Sequence, residues 1–260
     1  YRFANSMGLL ASYNIFKQVF YKTSFIYGFG RNEDVPEGFT LALITGITKR
    51  DGLKRPYSGL DFGFANFKSK GFYSSYTFRA GGYFYRNRVE DMDILFNVEH
   101  FTRLKRLNAN WYQRTFINTG ITGQVNSVLN APLFINSFFG LPYFNPENIS
   151  SDFRGTLKLE SVYFNMKKIL GFRFAPFTFT DLVFLKPVKQ PLKKGDLYSA
   201  IGGGIRTRNE NLVFGTIELK TYYFPRTNGN MNPWKIELSS NIRFKYSSNF
   251  IRRPDFVSAN

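Results

Sequence analysis

Side chains that alternate with a period of two, segment after segment, constrain this chain more than any single motif does. Over residues 201–208, Ile201, Gly203, Ile205 and Thr207 fall on one side and Gly202, Gly204, Arg206 and Arg208 on the other. In a strand, successive side chains must point to opposite faces. After a turn at Asn209-Glu210-Asn211, Val213, Gly215, Ile217, Leu219, Thr221 and Tyr223 alternate with Phe214, Thr216, Glu218, Lys220 and Tyr222. Arg206, Arg208, Glu218 and Lys220 are therefore expected to share a polar inner face, backed by an apolar one.

The same pattern predicts about twelve strands, over residues 9–16, 20–29, 39–48, 57–67, 72–85, 91–102, 108–119, 154–164, 172–185, 197–208, 212–224 and 234–246. Residues 31–38 and 186–196, rich in Pro, Gly and charge, read as longer connectors. Residues 120–152 form a long Asn/Pro/Gly-rich stretch, and loops of that length usually carry function. Around Pro176 the aromatic parity shifts from Phe172 and Phe174 to Phe177 and Phe179. A bulge at the proline would keep both pairs on one face.

Composition fits a wall with two unlike faces. Aromatic residues make up 19% of the chain, with 31 Phe and 16 Tyr, yet the mean hydropathy is −0.26. Rings are thus interleaved with polar residues, and no apolar run is long enough for a membrane helix. Strands of about 9–11 residues joined by very tight turns are what outer-membrane barrels need to cross a bilayer. The expected fold is all-β, an antiparallel transmembrane β-barrel forming a single domain over residues 1–260. Its expected location is the outer membrane of a Gram-negative bacterium. The chain opens at Tyr1 without a Met, a basic segment or an apolar segment, so any signal peptide is expected to have been removed already or to lie outside it.

Lys and Arg outnumber Asp and Glu by 35 to 18, a net charge of +17. Such a balance first suggests nucleic acid, which requires a continuous basic face. Here the basic residues are spread over strand ends and turns, as at 49–51, 103–106 and 193–194. Outer-membrane lipid and lipopolysaccharide headgroups suit that distribution, and no nucleic-acid partner is expected.

Chemistry finds little to work with. Cysteine is absent, which removes disulfides, thiolate metal sites and Cys nucleophiles. The single histidine, His100, lies beside Glu99 without a nucleophile-elbow signature, and reads as an interfacial or lumenal residue. Asn32-Glu33-Asp34 lacks a calcium-loop pattern, and Gly202-Gly203-Gly204 lacks the Lys-Ser/Thr pair and helix of a phosphate loop. The glycines read as room for neighbouring side chains. Neither catalysis, a cofactor nor a metal is expected.

The segment LYSAIGGGIRTRNENLVFGTIELKTYYF, residues 197–224, resembles the penultimate hairpins of the BamA/TamA-type surface-antigen barrels. DFRGTLKLESVYF, residues 152–164, resembles the strand after that family's lumenal loop, and LGFRFAPFTFTD, residues 170–181, the strand that follows. The resemblance covers roughly residues 135–246 and implies a barrel of roughly sixteen strands preceded by periplasmic POTRA domains, of which this chain would be a part. It also implies a lumenal loop carrying a hydrophobic-Arg-Gly-aromatic tetrad. The nearest counterpart is Leu141-Pro142-Tyr143-Phe144, without arginine or glycine, and Arg154 is the arginine placed to stand in.

What the resemblance implies functionally is the insertion or translocation of client outer-membrane proteins through a weak seam between first and last strands. The alternatives are a pore or a structural subunit of an envelope complex, with Arg206, Arg208 and Lys220 lining a basic lumen, and a soluble basic β-protein.

Overall fold

Alternating segments with tight turns fold back as antiparallel ladders, and this chain does so along its whole described length. A computed structural model describes residues 6–26, 28–30, 32–68, 71–145, 149–209, 216–227, 229–240 and 254–260. The strands are β1 (Ser6–Ser24), β2 (Asn32–Arg50), β3 (Leu53–Lys68), β4 (Phe72–Tyr85), β5 (Arg88–Phe101), β6 (Lys105–Arg106), β7 (Trp111–Val125), β8 (Ser151–Asn165), β9 (Phe172–Pro187), β10 (Asp196–Asn209), β11 (Ile217–Tyr223) and β12 (Trp234–Ser239). They form one twelve-stranded sheet in chain order, with β5 on β7 and the short β6 also on β7. A 3-10 turn at Leu192–Lys194 is the one helical element among the described residues, and no described helix is long and apolar enough to cross a membrane.

The two faces differ in kind. On β2, Phe39, Leu43 and Ile47 are exposed while Ile44 and Thr48 are buried. Register carries the outer row sideways, from Tyr13 through Leu43 to Leu60. On the inner face Arg55, Arg114 and Arg154 are buried among aromatic rings. The sheet is strongly curled. Phe25, Ile26 and Phe29, in the connector after β1, join the core cluster with Phe164 of β8, and Arg173 of β9 donates to the Phe29 carbonyl. Hairpins that need left-handed turns have them at Asp51-Gly52 and at Arg86-Asn87, each with two positive φ values.

The sheet does not close. Among the described residues β1 pairs only with β2 and β12 only with β11, so the expected barrel is an open curled sheet with two free edges. Other expectations also change. Residues 9–16 and 20–29 were expected as two strands but form a single strand through Lys17, because the β1–β2 register runs unbroken from Ser6↔Arg50 to Ser24↔Asn32. The expected connector 31–38 belongs, from Asn32, to β2. Its Pro36 is tolerated because the ladder to β3 stops at Gly38↔Ala65, leaving 32–37 paired on one side only. Gly38 has φ +130°, and a Cβ there would lie 2.0 Å from the Lys17 carbonyl oxygen.

No bulge forms at Pro176. The β9–β10 register runs through Ile205↔Pro176 without a shift, so Phe172 and Phe174 take the outer face while Phe177 and Phe179 turn inward. Proline lacks the N–H for a second ladder, and the β8–β9 pairing ends one residue away, at Val162↔Phe177. The long stretch expected at 120–152 shortens to 126–150, since β7 extends to Val125 and β8 starts at Ser151. The turn residues Glu210 and Asn211, residues 212–215 and residues 241–246 lie outside the described residues.

Gly202 and Gly204 lie beneath the inward rings of β9. A Cβ on Gly202 would stand 2.6 Å from Phe179 Cε1, and one on Gly204 2.7 Å from Phe177 Cζ. Gly202→Val or Gly204→Val should therefore destabilise the sheet by about 1–3 kcal/mol, whereas Gly123→Ala, with nothing within 4 Å of its Cβ, should be nearly neutral. Denaturant midpoints check this, and equal midpoints for all three variants would contradict the packing described.

Candidate functional site

A buried arginine needs acceptors that the strand ladders have already used, so it takes them from loops. Arg154, on the inner face of β8, is fully buried. Its Nη1 donates to the Phe134 carbonyl at 2.7 Å and to Ser137 Oγ at 2.5 Å. Its Nη2 donates to the Ala259 carbonyl at 2.6 Å. One guanidinium thus ties the wall, the loop at 126–150 and the segment at 254–260 together.

A second anchor holds the start of the loop. Asp91 of β5, at φ +47°, accepts the backbone N–H groups of Val128, Leu129 and Asn130 at 2.6, 2.8 and 3.0 Å on one carboxylate oxygen. The other oxygen lies 2.8 Å from Arg55 Nη1, both side chains being fully buried. Arg55 also reaches Glu90 at 3.1 Å and stacks 4.4 Å over the Tyr83 ring. Arg50 adds bonds to the Asn130 side chain and the Leu129 carbonyl, at 2.9 and 3.0 Å.

The tetrad counterpart anchors the far side of the loop through rings. Leu141 and Phe144 are buried, and Phe144 meets Tyr198 and Phe224 edge-on at 5.2 and 5.7 Å. Tyr143 meets Tyr222 edge-on at 5.5 Å under the Lys235 ammonium, and Pro142 between them is half-buried. Arg154 does reach this loop, but at Phe134 and Ser137 rather than at 141–144.

The expected polar cluster comes together in part. Arg206 and Glu218 face each other across the β10–β11 ladder and form an ion pair. Glu160 of β8 completes it with two bonds to the Arg206 guanidinium at 3.0 and 2.8 Å. Lys220 lies 4.0 Å over the Phe179 ring and 4.8 Å over Tyr222. Arg208 shares the face, across from Arg173, but joins none of these ion pairs. His100 lies on the outer face, its Nδ1 3.0 Å from Ser74 Oγ and its ring stacked on Phe72. Its neighbour Glu99 points to the opposite face and accepts from Asn118. Among the described residues no group of His, Cys, Asp and Glu is arranged to hold a metal.

Compared with protein-family models, with curated proteins and with solved structures, the chain matches none. The site therefore stands on its own geometry.

Sequence reasoning missed Arg55, Asp91 and Tyr57, and did not foresee Glu160 as the second partner of Arg206. One signal was present: Glu90, Asp91 and Asp93 place three of only 18 acidic residues within four positions of a basic chain.

Replacing Arg154 by Met keeps the bulk and removes the donors. Losing charge-assisted bonds of about 1.5–3 kcal/mol should raise local opening of the loop by roughly 10–150-fold. Chymotrypsin cleavage among Leu133, Phe134, Phe138 and Phe139 should rise accordingly, and Arg154→Lys, with no planar fork, should recover only part of the protection. Cleavage rates equal to those of the unmodified chain would remove Arg154 from this role.

Proposed function

We propose that this chain is a membrane-embedded β-structure of the Gram-negative outer membrane, similar in action to BamA/TamA-type barrels, which assists the insertion or translocation of other outer-membrane proteins. The observation that carries the reading is the distribution of side chains across the sheet, with large apolar groups exposed outside and the ion pairs set among aromatic rings inside. Large apolar side chains such as Leu9, Tyr13, Leu43, Ile201 and Leu219 are exposed on the outer rows. Leaving one such side chain in water forgoes about 1.5–3 kcal/mol. Summed over the outer rows, the burial forgone reaches tens of kcal/mol, and a contiguous apolar surface of that extent marks a face that is covered. Hydrocarbon removes that loss.

The long strands have 14 to 19 residues, more than the about 9–11 a bilayer requires. Their ends project into headgroup regions, where Arg103, Arg106, Lys193 and Lys194 meet lipid and lipopolysaccharide phosphates. Action on client proteins follows from the edges. Among the described residues β1 is paired along its 19 residues with β2 alone. A client strand can pair along the edge of the sheet by strand addition, and the reaction requires no catalyst residue.

The second reading, a pore or structural subunit, is favoured by a cleft along β1–β5 of mixed lining, where Asn14, Asp61, Arg79 and Glu99 stand among Leu41, Ile44 and Leu95. Against an anion pore, Arg206 is neutralised by two carboxylates and Lys220 is spent on two rings.

Deleting the gene should deplete other barrels from the outer membrane, measured by quantitative proteomics of that fraction. Purified protein in planar bilayers should give no stable anion-selective conductance. Undiminished levels of every other barrel would sink the assembly reading, and a steady anion-selective channel would favour the pore.

A further inference from the structure

Residues 254–260 form no regular secondary structure, yet four of the seven, Phe256, Val257, Ala259 and Asn260, are held by the inner face and the loop. Phe256 stands edge-on to Tyr57 at 5.0 Å and lies against Tyr83 at 6.1 Å. The Val257 N–H donates to Tyr57 Oη at 2.8 Å. Val257 and Ala259 are buried while Ser258 and Asn260 are exposed, the alternation of an extended chain laid on a surface. The Ala259 carbonyl takes one arm of Arg154. Asn260 is bonded from both sides, its Oδ1 accepting the Phe134 N–H at 2.8 Å and its Nδ2 donating to the Pro132 carbonyl at 3.0 Å.

The wall is shaped for this occupant. Gly59 and Gly81 are direct partners across the β3–β4 ladder. A Cβ on Gly81 would stand 2.2 Å from Tyr57 Oη and 3.0 Å from Val257 Cγ2. The glycine pair thus leaves a slot in which the Tyr57 ring lies flat and presents its hydroxyl to a peptide amide. Burying a tyrosine hydroxyl is tolerated only with such a partner.

We infer that this slot is a recognition site for an extended polypeptide, reading an aromatic residue, a β-branched residue next to it and a side-chain amide four positions on, and that residues 254–260 fill it in cis as a strap. The strap and the loop share Arg154. A polypeptide of the same chemistry arriving in trans must displace the strap, and the exchange passes through a state in which Arg154 holds the loop with one arm only. The slot is thereby coupled to loop release. The inference concerns the inner face and is independent of what covers the outer one.

The test uses the full chain with Phe256→Ala and Asn260→Ala, which weaken the strap and leave the slot untouched. The probe is a fluorescein-labelled synthetic peptide, Pro-Asp-Phe-Val-Ser-Ala-Asn, followed by anisotropy. The double variant should bind it about tenfold or more tightly than the unmodified chain, whose tethered strap competes at high effective concentration. Adding Tyr57→Phe or Gly81→Ala to the double variant should abolish most of that gain. Chymotrypsin cleavage of the loop should be faster in the double variant and slow again when the peptide is added. Equal binding by both chains, or binding unaffected by Tyr57→Phe and Gly81→Ala, would overturn the proposal. Hydrogen exchange on the unmodified chain supplies a check that needs no variant. The Val257 amide should be protected, and exchange at the rate of a free peptide would overturn it equally.

Discussion

A guanidinium drawn out of water must find acceptors within reach, and the buried Arg55 and Arg154, with the partly buried Arg206, organise the inner face of this sheet. Arg55, Arg154 and Arg206 each sit on a strand whose ladder bonds are already made, so each recruits partners from elsewhere. Arg55 takes Asp91 and Glu90, and Asp91 in turn caps three loop amides. Arg206 takes Glu160 and Glu218 from strands on either side. Arg154 takes backbone carbonyls from two segments remote in sequence. Removing one partner of such a group leaves a buried charge uncompensated, which costs more than the pair contributes. The loop and strap are therefore tied to the wall by demand from the wall.

This arrangement bears on function because it decides what the interior can do. The side of the trough near Arg154 is occupied by the loop and by residues 254–260, while the side near β1 remains a cleft lined by polar and apolar side chains. On the proposed reading, an interior partly filled by its own chain suits a protein that handles polypeptide strands better than one that conducts ions. The same backbone groups that leave β1 open for pairing would, in water, invite aggregation. On the proposed reading, hydrocarbon around the outer face and a client strand at the edge would address both problems together.

Much of the sheet was legible because its signal is local. In the β10 and β11 strands, alternation over neighbouring residues placed Arg206, Glu218 and Lys220 on one face without knowledge of any partner, and Phe72–Tyr85 was read to the residue. The signal failed where tertiary pairing overrode propensity. Lys17 did not interrupt β1, and Asp34, Pro36 and Gly38 did not end β2, because an unbroken ladder with a neighbour outweighs weak local preferences. At Pro176 the ladder on one side ended while the other continued, so an aromatic shift that looked like a bulge was a change of face. The anchors of the loop left no local trace. Arg154 and Ala259 are 105 positions apart, and Val257 and Tyr57 are 200 apart, so neither pairing has a period to detect. Closure likewise depends on how the first and last strands meet, which alternation does not encode.

The central claim is that the outer rows face hydrocarbon and the inner rows do not. Because the chain has no cysteine, single cysteines carrying a nitroxide can be placed one at a time from Phe39 to Thr48 of β2 in protein reconstituted into lipid vesicles. The account predicts that collisional relaxation by oxygen peaks at Phe39, Leu41, Leu43, Thr45 and Ile47 and falls at the residues between them, with a period of two. Accessibility to oxygen without that period, or a water-soluble relaxer that reaches the two rows equally, would contradict it.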